Sequence, residues 1–224
     1  MSKRKLFKYD SLFGFKDEVV PTRTVVPEWY KKIPRDVIIP GDNNTKSAKH
    51  CIPFLDSLTV GYSICLMTDL YIQRDEQGAP TLLFSEPEAG PNARHSIQTD
   101  PMPVPHGYEA YYWVWLTRQC IELPEGYSAV YTHPLNRFDL PFITVSAIID
   151  NDLALMGGNY PFFIKEGFEG LIPKGTPIVQ VIPFLREDWE MKHVSGLAKI
   201  GREYELTASE GWYRIKHWRR KSYK

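Results

Sequence analysis

At 224 residues the chain is long enough for one decorated domain and can bury a sizeable core. Its 27 Lys and Arg balance 27 Asp and Glu, which excludes a global electrostatic pull toward nucleic acid or a membrane surface, and no apolar run approaches the roughly 20 residues of a membrane span. Eighteen prolines and 13% aromatic residues speak against a helical bundle and for short strands joined by tight turns. The opening MSKRKLFKYD is basic but lacks the apolar core of a signal peptide. Cys51, Cys65 and Cys120 are odd in number and far apart, which reads as reduced, buried thiols. The expectation is a soluble protein of the cytoplasm.

Three regions are expected: an arm over 1–49, a body over 50–186 and a tail over 187–224. In the arm, VVPEWYKKIPRD predicts a helix with Pro27 in its first turn and Glu28 at the positive end of its dipole. Pro34 stops it after about two turns. So short a helix is marginal alone, so Trp29, Tyr30 and Ile33 must dock, on this domain or on a neighbouring subunit. GDNNTKSAK reads as a polar loop.

The body opens with LTVGYSICLMTDLYIQ, a strand, a turn at Thr68-Asp69 and a second strand, both expected to be covered on two faces. The Pro-rich stretch 86–107 predicts a long loop that carries a function or covers an edge. YEAYYWVWLTRQCIEL follows as an aromatic strand with alternation at Tyr112, Val114 and Leu116. Leu-Pro-x-Gly-Tyr then opens a strand at 123–127, Ile-Ile-Asp-Asn-Asp closes one at 148–152, and Pro-Lys-Gly-Thr-Pro turns at 173–177 into Ile-Val-Gln-Val-Ile. Short strands between turn signals predict a mainly β fold, an antiparallel β-sandwich or jelly roll, with short helices in the arm and tail. The tail is charged and reads as two helical pieces. Trp212, Ile215 and Trp218 share a face there, ringed by Arg214, Arg219, Arg220, Lys221 and Lys224. That pattern suits a solvated tail, a phosphate backbone or an acidic partner.

The order GYSICLMTDLYI, LPEGYSAVYTHPLNRF, SAIIDNDL and IPKGTPIVQVIPF resembles the dUTPase and dCTP deaminase superfamily over about residues 56–184, with an unusually long insertion between its first two elements. The whole chain, with its VPEWYKKIP arm, also resembles a group of phage-borne and bacterial proteins. The dUTPase resemblance implies that Asp150, at the hairpin, would orient the sugar and the attacking water, as a general base if its pKa and position suit. Gln180 matches the Gln of the family's Ile-Ala-Gln strand. Where the family has a phosphate-binding Arg-Ser-Ser, this chain has His133-Pro134-Leu135-Asn136-Arg137. Asn136 and Arg137 are the ligand-binding candidates left there, since a guanidinium fork matches phosphate geometry. Ile149 is expected buried and Asp150 is expected near Arg137 or Gln180, the alternative being an Asx turn.

The departures weigh against catalysis. Ser63 replaces the Asp of the first motif, Leu153 replaces the tyrosine that stacks on the sugar, and a basic aromatic tail stands where the family has a Gly-rich closing motif. The Ser-Arg-Ser and catalytic Glu patterns of the deaminases are missing as well. Triphosphate cleavage needs several charges and Mg2+ held together, so losses in the phosphate loop count heavily. The expected function is therefore a non-enzymatic, phage-type structural or interaction protein on a dUTPase-like fold, without a cofactor. The alternative is a nucleotide-binding or pyrophosphatase-like enzyme that rebuilt its site, with Mg2+. A cupin-type metal enzyme comes third, because no His-x-His occurs: His133 precedes Pro134-Leu135-Asn136, and His95 and His106 fall in the loop. No metal ligands are therefore expected. Ser128 lacks the second glycine of a nucleophile elbow, and no Walker motif is present. The resemblance implies a homo-oligomer, a trimer by family habit, with the 27–36 helix or the 204–224 tail crossing a subunit boundary. Its setting would be the host cytoplasm or the virion. A protein partner through the arm or tail is expected, with nucleic acid left open.

Overall fold

A computed structural model describes residues 5–12, 14–15, 18–40, 42–93, 102–155, 158–193, 201–202, 206 and 213–224. In chain order the strands and α-helices are β1 (Lys8–Ser11), β2 (Val19–Pro21), α1 (Glu28–Lys32), β3 (Asp36–Ile39), β4 (Asp42–Lys46), α2 (Ile52–Ser57), β5 (Tyr62–Cys65), β6 (Leu70–Arg74), β7 (Pro80–Phe84), β8 (Asn92–Ala93), β9 (Tyr108–Leu116), β10 (Gln119–Glu122), β11 (Tyr127–Thr132), β12 (Phe142–Thr144), β13 (Ala147–Ile149), β14 (Asn159–Lys165), β15 (Gly170–Ile172) and β16 (Pro177–Leu185). Strand makes up 38% and helix 14%, and all described pairings are antiparallel, so the fold is mainly β, as expected.

A five-stranded sheet in the order β13-β11-β16-β5-β2 faces a four-stranded sheet in the order β12-β14-β9-β8, and a three-stranded β15-β6-β7 sheet closes one side. Alternation explains the layers. On the first sheet Ile64, Ala129, Tyr131, Val179 and Val181 point inward, and on the second Trp113, Trp115, Phe142, Phe162 and Ile164 meet them. Tyr131 stacks on Tyr160 with centroids 5.1 Å apart, and Trp115 stacks on Phe162 at 3.5 Å. A hydrogen-bond relay also ties the two sheets. Trp115 Nε1 donates to Thr144 Oγ1 (3.1 Å), which donates to the Ile178 carbonyl (2.7 Å).

Several local expectations are corrected. Of the first 49 residues, β1 pairs with β10 and β2 becomes the edge of the five-stranded sheet, so the arm is joined to the body by backbone hydrogen bonds. The supposed GDNNTKSAK loop contains β4, paired with β3. In β9 the core side is Trp113 and Trp115, the opposite phase to the one expected. Tyr112 is also buried, because Phe163 of β14 lies 5.6 Å from it on the outer face. Of the two strands in LTVGYSICLMTDLYIQ, β5 is covered on both faces but β6 only on one, since the three-stranded sheet backs onto the core and leaves Tyr71 exposed. Cys65 alone of the thiols is buried; Cys51 sits exposed at the entry to α2 and Cys120 is half-buried. Past β16 the described residues 186–193 form no helix; beyond them Gly201, Arg202 and Leu206 are helical and a wide helical turn spans Tyr213–His217, so among the described residues helix falls in two places of the tail, as expected. Trp212, His95 and the middles of the 86–107 loop and of the tail lie outside the described residues.

One glycine is dictated by packing. Gly61 has φ of +74°, and a Cβ there would lie 2.1 Å from the Val181 carbonyl oxygen, so the chain can pass between α2 and β5 only without a side chain.

Candidate functional site

Three of the four selected residues converge where the β11–β12 loop meets α2 and the arm. Gln180 points from the outer face of β16 and is buried. Its Oε1 accepts from the Leu135 backbone N–H (2.8 Å), and its Nε2 donates to the carbonyls of Val60 (2.7 Å) and Ser57 (3.1 Å). Asn136 is the one described non-glycine residue with positive φ, +59°, a conformation that Asn tolerates better than most residues, and its Nδ2 donates to Ser57 Oγ (2.6 Å). The Arg137 guanidinium is held in a bidentate pair by Asp139, through Nε and Nη2 at 2.9 Å each. Asp139 also accepts from Trp29 Nε1 (3.0 Å), which latches α1 to the loop. Arg137 and Trp29 both bind Asp139 and hold its carboxyl below the usual range, although its partial burial acts the other way.

These contacts leave a cavity of about 10 Å³, lined by Thr22, Ser63, Leu135, Arg137 and Gln180 among others, room for about one water and far from the size of a nucleotide. Ser63 is buried and donates to Thr22 Oγ1 (3.0 Å).

Asp150 stands elsewhere. It lies at the strand-to-turn junction after β13, as expected, but level with Ser128, because Ile149 pairs with Ala129. Gln180 is level with Thr132, four residues further along β11, about 13 Å at the usual strand rise. Asp150 accepts from Ser128 Oγ (2.6 Å) and lies 3.4 Å from Arg186 Nη1. Arg186 also donates to Asp152 Oδ1 (2.7 Å) and pairs with its other oxygen. That bond first, then the Gly126 amide, brings the Asp152 carboxyl down to about 2. Asp150 is thus part of a turn clamp, and Ile149 is half-buried rather than buried. Leu153, at the tyrosine's position, is exposed.

His133 is built into the same loop. Its Nδ1 accepts from the Thr144 backbone N–H (3.3 Å) and its Nε2 lies 3.2 Å from the Arg137 carbonyl, which requires the proton on Nε2. Burial pushes its pKa below 6.5, and the Arg137 charge adds to this; the bond to the Arg137 carbonyl opposes it. With the folded value depressed, the stabilisation is fully present above 6.5 and is lost as pH falls from 6.5 toward the folded value. The urea midpoint of the wild type is expected to fall over that window, and the His133→Phe variant, less stable throughout, is expected to lack that component. Equal slopes in the two proteins would reject this role.

Sequence reasoning missed the roles of Ser57, Asp139 and Ser128, whose partners Asn136, Trp29 and Asp150 lie 79, 110 and 22 residues away. It also missed a polar group beside β10. Both side-chain polar atoms of buried Gln119, and Oε2 of buried Glu18, have no hydrogen-bond partner among the described residues. Burial pushes the Glu18 carboxyl up, against the pull of Ser11 and the Arg118 amide. Among the described residues no three His, Cys, Asp or Glu side chains gather where a metal could bind, and no helix is long and apolar enough to cross a membrane. No protein-family model and no curated protein matches the chain.

Proposed function

We propose that this chain is a protein-interaction component on a dUTPase-like β-sandwich, not a nucleotide hydrolase, and that it works as a homo-oligomer. The observation that carries the reading is Trp189. Of the five tryptophans described, Trp113 and Trp115 are core, Trp29 and Trp218 bond to Asp139 and Asp56, and Trp189 stands 86% exposed with Met191 beside it at 98%. A large aromatic left open to solvent is what interfaces use as an anchor. The helix α1 is already satisfied within the chain: Tyr30 packs on Phe54 with centroids 5.8 Å apart, under the Lys49 ammonium. This moves the expected crossing from the arm to the stretch after β16. The separation of Asp150 from Gln180, Asn136 and Arg137 argues against the hydrolase, since all four side chains are already bound to protein groups. The likeness to phage-borne and bacterial proteins argues for partners in the virion or the host cytoplasm, and the dUTPase likeness argues for three copies.

Two measurements test this. Thermal-shift screening against nucleoside mono-, di- and triphosphates with Mg2+ is expected to leave the melting temperature unchanged, and light scattering at micromolar concentration is expected to give a multiple of 25.9 kDa. Saturable stabilisation by a nucleotide would overturn the first half, and a mass of one chain the second.

A further inference from the structure

We infer that residues 187–191 of one copy dock into a basic cleft between α2 and the C-terminal segment of a second copy. This rests on the proposed self-association and gives it a site.

The donor segment is Glu187-Asp188-Trp189-Glu190-Met191. The chain leaves the five-stranded sheet at Arg186, whose N–H donates to the Gly126 carbonyl (2.9 Å) and whose guanidinium is gripped by Asp152 and the Tyr127 carbonyl. Every residue from Glu187 to His193 is exposed beyond that clamp. Glu187, Asp188 and Glu190 enter no ion pair among the described residues. The segment thus offers three free carboxylates around one aromatic anchor.

The acceptor is a cleft of about 610 Å³ bordered by Arg23, Leu55, Trp218, Arg220, Tyr223 and Lys224, with Asp56 and Lys221 also on its wall. That volume suits a tryptophan with flanking backbone. The C-terminal segment is fixed to the body by Asp56, which accepts from Trp218 Nε1 (3.0 Å) and pairs with Lys221, and by Tyr223, edge-on to Tyr62 at 5.7 Å. Asp56 is therefore spent on holding Trp218 and Lys221. Arg23, Arg220 and Lys224 form no ion pair among the described residues, so three free cations face outward. Leu55 and the Trp218 and Tyr223 rings supply apolar wall, and the arginines can stack on an incoming indole.

Acid–Trp–acid on one surface and base–aromatic–base on another are complementary in charge and in apolar content. Within one chain the two do not meet, since the segment stands clear in solvent. A second copy supplies the missing half. The contact is head-to-tail: each copy gives a segment and receives one. Such a contact closes into a ring if the rotation permits and otherwise grows a filament.

The test is light scattering on full-length variants. Glu187→Lys with Glu190→Lys reverses the segment, and Arg220→Glu with Lys224→Glu reverses the cleft. Each double variant is expected to run at the mass of one chain while keeping a cooperative urea transition, and an equimolar mixture of the two is expected to recover an assembly of alternating variants, because the unchanged segment of one meets the unchanged cleft of the other and the reversed segment meets the reversed cleft. Trp189→Ala alone is expected to weaken self-association at least tenfold, and added salt to weaken the wild-type contact. If the wild type is oligomeric and both double variants keep its mass, the docking site is wrong while the interaction reading stands. A wild type that is one chain in mass removes the site and the self-association together. If the cleft variant keeps its mass but loses binding to a labelled single-stranded oligonucleotide, the cleft serves phosphates and the inference fails.

Discussion

Replacing Gln180 with leucine is expected to lower the unfolding free energy by about 3 kcal/mol, read from urea denaturation. The side chain makes three hydrogen bonds to backbone groups of three different residues and is 1% exposed. Leucine fills a similar volume, so the loss is polar: the Leu135 N–H and the Val60 and Ser57 carbonyls stay buried with nothing in their place, at about 1–3 kcal/mol for each group left unmade, partly relieved by rearrangement. Glutamate is the sharper control. It keeps the acceptor for Leu135 but puts a carboxylate against two carbonyls, so it is expected to be at least as damaging as leucine at neutral pH. A loss below about 0.5 kcal/mol for Gln180→Leu, within the ordinary range for surface positions, would show that the loop and α2 hold without the clasp.

Trp115→Ala is expected to cost about 4 kcal/mol or to prevent folding at 37 °C. The indole is buried at the sandwich centre, stacked on Phe162 and edge-on to Phe142 at 5.1 Å. Truncation to alanine in a core removes both transfer free energy and packing, typically 3–5 kcal/mol for tryptophan. Trp115→Phe separates the contributions. It keeps most of the stack but removes the donor to Thr144, so its cost should stay near 1–2 kcal/mol. A phenylalanine variant as unstable as the alanine one would mean that the hydrogen-bond relay, not the stacking, holds the sheets together.

The layers were legible because turn chemistry and side-chain period are local. LPEGY, IIDND and PKGTP each sit at the turns expected of them, and the Thr68-Asp69 turn falls between β5 and β6. What failed was what depends on neighbours far away in the chain. The phase of β9 could not be read because both its faces carry large aromatics, and only the placement of β14 settles which pair meets the other sheet. The polarity of GDNNTKSAK hid β4, because its pairing with β3 is made by the backbone. The candidate site shows the same division. Gln180 and Asn136 were singled out by the family resemblance, but their partners are the Leu135 N–H, the Ser57 and Val60 carbonyls and the Ser57 hydroxyl, and no spacing rule reaches across the 45 to 123 residues between them. Asp150 sat at the right kind of junction on the wrong level of the sheet, a matter of register alone.

The clasp around Gln180 also bears on how the chain reaches this structure in time. Its bonds join residues separated by 45, 120 and 123 positions. Closing such loops is entropically costly, so contacts of this range form after the hairpins and rate the fold among the slower small domains. The clasp then acts as a bolt drawn last: weakening it should speed unfolding and scarcely alter the rate of refolding, so the lifetime of the native state, more than the route to it, is set by one buried amide.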